Sequence, residues 1–160
     1  MTARIALIVL MATLVGRGAT AAAPAELTMT WNFSPAHSPH DGAMLAFGAE
    51  GTDMVEAILQ CRPGSGRITI STFAAAARQG ETVRLRSGAA ASRRPAHVEL
   101  NEAGEGDLLY LVQTTAAARD PALRTFRRGA SLSILAGRAR TDTPAAPKAL
   151  TALFFRSCGG

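Results

Sequence analysis

Short runs of period-two alternation, cut apart by glycine and proline, limit what this 160-residue chain can fold into more than any other feature. Leu27, Met29, Trp31 and Phe33 alternate with Thr28, Thr30 and Asn32. On a strand successive side chains point to opposite faces, so this run predicts a half-buried strand with Trp31 in a core. Ser34 to Gly42 is rich in proline, serine and glycine and reads as a loop, and Ala43 to Gly48 as the next strand. Asp53 to Cys61 fits both the helical and the strand period. The turn Pro63-Gly64-Ser65-Gly66 and the alternating run Arg67 to Thr72 that follow it favour a β-hairpin.

Glu81 to Ser87 alternates with Val83 and Leu85 inward and Arg84 and Arg86 outward. Gly88 to Pro95 is small and basic and reads as a loop. Ala96, Val98 and Leu100 form one strand face, and Asn101 to Asp107 a turn. Leu108 to Val112 is continuously apolar, as expected of a strand covered on both faces. Asp120-Pro121 carries the signature of a helix start, because aspartate caps the first N–H groups and proline is preset for the first helical position; Gly129 suits the end. Ala130 to Ala136 reads as a strand. Thr141 to Pro147 leads into a last helix with Leu150, Leu153, Phe154 and Ser157 on one side. Six to nine short strands with two late helices predict a mainly β fold. It is an antiparallel β-sandwich or open barrel with one or two short helices near the C-terminus.

The N-terminus sets the expected compartment. Arg4 precedes an uncharged apolar run from Ile5 to Val15, followed by small residues from Gly18 to Ala25. A charged start, a short apolar middle and a small-residue end form a secretory signal, too short to span a bilayer, which takes roughly 20 residues. Residues 1–25 are read as a signal peptide cleaved before Ala22 or before Glu26, and residues 26–160 as one β-rich domain with no membrane span. Without Arg4 and Arg17, fifteen basic residues face twelve acidic ones, so the mature charge is +3. An even cysteine count in an exported chain points to a disulfide, and Cys61 and Cys158 allow one intramolecular pairing; two buried thiols are the alternative.

Catalytic patterns are sparse. His37, His40 and Asp41 place imidazole and carboxylate donors in one loop, the chemistry of a zinc or copper site. Two prolines interrupt that loop and no third ligand is placed by spacing, so it reads as solvated, with those three residues as outside candidates. Glu99, Glu102, Glu105 and Asp107 gather at one turn and read likewise. Gly64-Ser65-Gly66 is a turn rather than a nucleophile elbow. No cofactor and no catalysis are expected. Arg84 and Arg86 share an outer strand face and are the candidate anion-binding residues. Arg93-Arg94, Arg127-Arg128 and Arg138 with Arg140 add further basic clusters. One tryptophan, one tyrosine and six phenylalanines, mostly at core-patterned positions, leave no stacking platform for nucleic acid.

The strand ending in Cys61 and running through a glycine turn into Ile70, the stretch from Asp120 to Leu135, and the apolar close ending in Cys158 resemble small exported proteins of alphaproteobacteria, of the sphingomonad type. The likeness spans Val55 to Cys158. It implies a periplasmic location and a disulfide, and carries over no activity and no catalytic residue. The chain departs from it in the more basic helix after Asp120 and at Ala74 to Ala77. The expectation is a periplasmic or secreted, non-catalytic binding or accessory module of the cell envelope, whose partner is an envelope protein or an anionic envelope component. A small-ligand or polyanion carrier and a hydrolase assembled only by the fold are the alternatives.

Overall fold

The structure is a computed structural model that describes residues 27–38, 41–102 and 108–159. The leader, residues 1–25, lies outside the described residues. Two antiparallel sheets face each other as a β-sandwich. The larger has the order β1-β2-β3-β4-β8-β7, with β1 Met29–Ser34, β2 Ala43–Ala49, β3 Val55–Cys61, β4 Arg67–Ala74, β7 His97–Glu102 and β8 Leu108–Ala117. The smaller has the order β10-β9-β5-β6, with β5 Thr82–Ser87, β6 Ala90–Pro95, β9 Leu132–Ala136 and β10 Ala139–Thr143. Two helices complete it, α1 Pro121–Arg127 and α2 Lys148–Ser157.

Register shows which side chains share a face. Trp31, Phe47, Ala57, Thr72 and Val112 form one row across the inner face of the larger sheet. Val83, Leu85, Ile134 and Leu132 come from the smaller sheet into the same cluster of buried residues. β10 lies over β3 and β6 over β8, so the smaller sheet leaves β1 and β2 bare. The helices fill that space. α2 packs on β1 and β2, α1 packs under β5, β6 and β9, and the Trp31 ring meets Phe47 at 5.4 Å and Phe126 at 5.3 Å. The buried indole donates its N–H to the Pro144 carbonyl at 3.0 Å.

Cys61 and Cys158 are joined, with their Cα atoms 5.6 Å apart. The bridge sets the rotation of α2. Thr151, Phe154, Phe155 and Cys158 form its buried side, at the i, i+3, i+4 and i+7 spacing of one helical face. The face expected around Leu150 and Leu153 is therefore displaced, and Leu153 is 44% exposed. Two further bonds hold the same junction. The amides of Gly64 and Gly66 in the β3–β4 turn donate to the carbonyls of Ser157 (2.8 Å) and Cys158 (2.7 Å), satisfying helix-end acceptors that have no intrahelical partner. Gly159 allows this approach: a Cβ on it would stand 3.1 Å from the Gly64 Cα.

Other expectations need correction. Residues 90–95 form strand β6 rather than a loop, and residues 139–143 form strand β10. Both were hidden because their inward positions are polar. In β6 Ser92 and Arg94 point in toward Asp120, and in β10 Thr141 and Thr143 point in and are hydrogen-bonded. Ten strands result among the described residues. β8 is paired on both edges, by β4 and β7, and Leu109 and Leu111 on its outer face are only half-buried.

The helix start expected at Asp120 is present, and its carboxylate does more than cap. Asp120 is buried and accepts from the Ala122 amide (2.9 Å), the Ser92 hydroxyl (2.9 Å) and the Arg94 guanidinium (2.8 Å), tying α1 to β6. Asp120→Ala removes a cap and leaves Arg94 without its counter-ion. A loss of about 3 kcal/mol in urea unfolding is expected, and a loss below about 1 kcal/mol would contradict this role.

Candidate anion-binding face

The outer face of the smaller sheet follows from the same alternation that builds the core. In β5, Val83, Leu85 and Ser87 are buried, so Arg84 and Arg86 must point out. The two-residue turn Gly88-Ala89, with Gly88 at φ 55°, returns the chain in the register Arg84 opposite Arg93 and Arg86 opposite Ala91. On the other side β9 places Leu135 beside Arg84 and Ser133 beside Arg86, and β10 adds Arg140 and Asp142. One row across the face is Arg93, Arg84, Leu135, Arg140; the next is Ala91, Arg86, Ser133, Asp142.

The arginine clusters of the sequence separate. Arg93 and Arg94 are neighbours in the chain and lie on opposite faces of β6, Arg94 bonded to Asp120. Arg127 lies over the Phe155 ring at 5.5 Å. Arg140 is neutralised by Asp142 at 2.6 Å. Arg138 turns to the far end of the sandwich, into a cleft with Arg78 and Glu81. Arg84, Arg86 and Arg93 stay together, and none of them forms an ion pair with any described residue.

Like charges directly opposite on adjacent strands, about 5 Å apart at Cβ, destabilise a sheet. The Arg84–Arg93 pair with Arg86 beside it is such an arrangement, and no described carboxylate relieves it. These residues border a shallow hollow of about 530 Å³ with Ala89, Ala91 and Ser92. A second hollow of about 330 Å³, shared by Arg84 and Arg93, adjoins it toward Leu135 and Gly137. The small side chains keep the surface open, and two of the three guanidiniums border both hollows. A planar guanidinium offers paired N–H donors to phosphate or carboxylate, so the face can hold successive anionic groups of an extended ligand.

Comparison with protein-family models, with curated proteins and with solved structures finds no match to this chain. The face therefore has to be read from its own chemistry.

The remaining expected positions contribute little to it. His40 lies outside the described residues, as do Glu105 and Asp107. His37 is exposed in its loop, and the Asp41 amide bonds back to the carbonyl and hydroxyl of Ser38. Among the described residues no group of three histidine, cysteine, aspartate or glutamate side chains is placed to hold a metal. His97 pairs with Glu99 at 2.8 Å and lies 3.3 Å from the Gln79 amide, and no described serine or threonine hydroxyl bonds to it. Arg93 is the residue sequence reasoning missed as part of the face. Only the β5–β6 register brings it opposite Arg84.

At the edge of the face the Ser133 hydroxyl, and then Arg140, hold the Asp142 carboxyl below its ordinary value of 3.8, against a small opposing effect of burial. A depressed value means that the contact stabilises the fold above 3.8 and is lost as pH falls through the lower folded value. A side-chain NMR titration is expected to place the Asp142 midpoint below 3.8 and to move it up in Ser133→Ala. A midpoint at or above 3.8 would contradict the hydrogen bond as its cause.

Proposed function

We propose that this protein is an exported, non-catalytic binding module of the cell envelope, and that Arg84, Arg86 and Arg93 hold an anionic envelope polymer against the smaller sheet. One observation carries the reading. Three arginines, two of them directly opposite, share an open strand face without a carboxylate partner. A face that costs stability in isolation gains it when phosphate or carboxylate groups fill it.

The compartment has separate support. The N-terminal residues have the composition of a cleavable leader, and the Cys61–Cys158 bridge is chemistry that persists in oxidising compartments. No described helix is long and apolar enough to cross a membrane. The resemblance to small exported proteins points to the same compartment. An accessory role agrees with the hollows over the arginines, which are open rather than enclosed and suit a chain more than a small substrate.

Binding to anionic envelope polymer, measured by co-sedimentation at low and at physiological salt, is expected to weaken as salt screens the contact. Arg84→Glu with Arg86→Glu places repulsion where attraction stood and is expected to lower affinity at least about tenfold. Unchanged binding by this folded double variant would overturn the reading.

A further inference from the structure

The helices and the disulfide close one end of the sandwich. Among the described residues the other end is open. β4 runs from Arg67, near the bridge, to Ala74, and β5 begins at Thr82 and ends beside α1, where a Cβ on Gly88 would lie 3.4 Å from Thr125. At the open end a cleft of about 580 Å³ lies between the sheets. Tyr110, opposite Ala74 in the register, borders it from the larger sheet. Glu81, Gly137 and Arg138 border it from the smaller one, with Arg78 on the connection between them.

The charges in this cleft are held apart. Arg78 and Arg138 share it with Glu81, yet neither makes an ion pair with that carboxylate or with any other described one. Glu81 is fixed through its main chain: its amide donates to the Arg78 carbonyl and its carbonyl accepts from the Ala96 amide. Its carboxylate is wedged against the β9–β10 turn. A Cβ on Gly137, whose φ is 57°, would stand 2.6 Å from Oε2. Oε2 is sealed from solvent there and has no hydrogen-bond donor. Oε1 is not sealed and has no partner within the described chain. Oε2 is closed off by the turn, so a donor that enters the cleft meets this carboxylate at Oε1.

We infer that this cleft binds a small zwitterion, a free α-amino acid or a dipeptide, with the ammonium on Glu81 and the carboxylate on Arg78 and Arg138. A simple anion would meet the uncompensated Glu81, and a simple cation would meet two guanidiniums. A molecule with both charges satisfies all three. Tyr110 and Ala75 to Ala77 offer a mostly apolar wall to the rest of the ligand. None of Arg84, Arg86 and Arg93 borders the cleft, and it meets the second hollow of the arginine face only at Gly137.

The test is saturation-transfer NMR on the exported protein with a panel of free α-amino acids and glycyl dipeptides, each beside its N-acetyl and its C-amide form. At least one panel member is expected to bind with a Kd of about 1 mM or tighter. Removing either ligand charge is expected to weaken it at least about tenfold, because the charged groups facing it in the cleft then lose their counter-charge. Glu81→Gln, which keeps the side chain's shape, and Arg138→Ala are each expected to reproduce that loss. Absence of binding across the panel would overturn the inference, as would N-acetyl or amide forms that bind as well as the parent. The comparison of ligand forms uses the unaltered protein, so it decides the matter even where a variant fails to fold.

Discussion

A six-stranded sheet cannot be covered by a four-stranded one, and that mismatch governs the rest of this molecule. The inner face of β1 and β2 carries Trp31, Leu45 and Phe47, which the smaller sheet does not reach. Leaving such side chains in water costs about 1.5–3 kcal/mol each, so something has to cover them. α2 does, with Phe154 and Phe155, and α1 adds Phe126 against Trp31. A helix of ten residues is marginal by itself. Three attachments keep it in place: the bridge from Cys158 to Cys61 and the two bonds from the glycine amides of the β3–β4 turn to its terminal carbonyls. Closing a loop across 97 residues restricts the unfolded chain by about 4 to 5 kcal/mol in the chain-entropy view.

With one end of the sandwich plugged, polar chemistry is left to two other places, the outer face of the smaller sheet and the open end. β5 and β6 show how one alternation serves both stability and binding. Their inward residues are Val83, Leu85, Ser92 and Arg94, the last two bonded to Asp120. Their outward residues are Arg84, Arg86 and Arg93. Any strand that turns Arg94 inward to a carboxylate has to send Arg93 to the opposite face, and the hairpin register sets it against Arg84. The repulsion there is a consequence of the fold and also the property that suits the face to an anion.

The readable parts of the fold are those where apolar residues alone mark the inward face. β1, β4, β5 and β9 announce themselves this way, β3 does so only through the Pro63–Gly66 turn and the alternating run after it, and Asp120-Pro121 announces α1 through its cap. β6 and β10 stay hidden because hydroxyls and a guanidinium occupy their inward positions, and only their distant partners Asp120 and Thr72 make those positions tolerable. The buried side of α2 is set by where Cys61 lies, which no local period can reveal. Of the candidate sites, Arg84 and Arg86 are legible from alternation, and Arg93 needs the register. The Arg78–Glu81–Arg138 cleft is assembled from segments on both sides of the sandwich, so nothing in the linear pattern joins it.

The dependence of the sandwich on its clamped helix can be measured by native-state hydrogen exchange, with the bridge intact and after reduction and alkylation. Amides of α2, β1 and β2 are expected to speed up on reduction at least about tenfold more than those of β5 and β9, because the cover over the wider sheet is released first. Equal acceleration throughout, or none in α2, would contradict the claim that the bridge and its helix are what close the wider sheet.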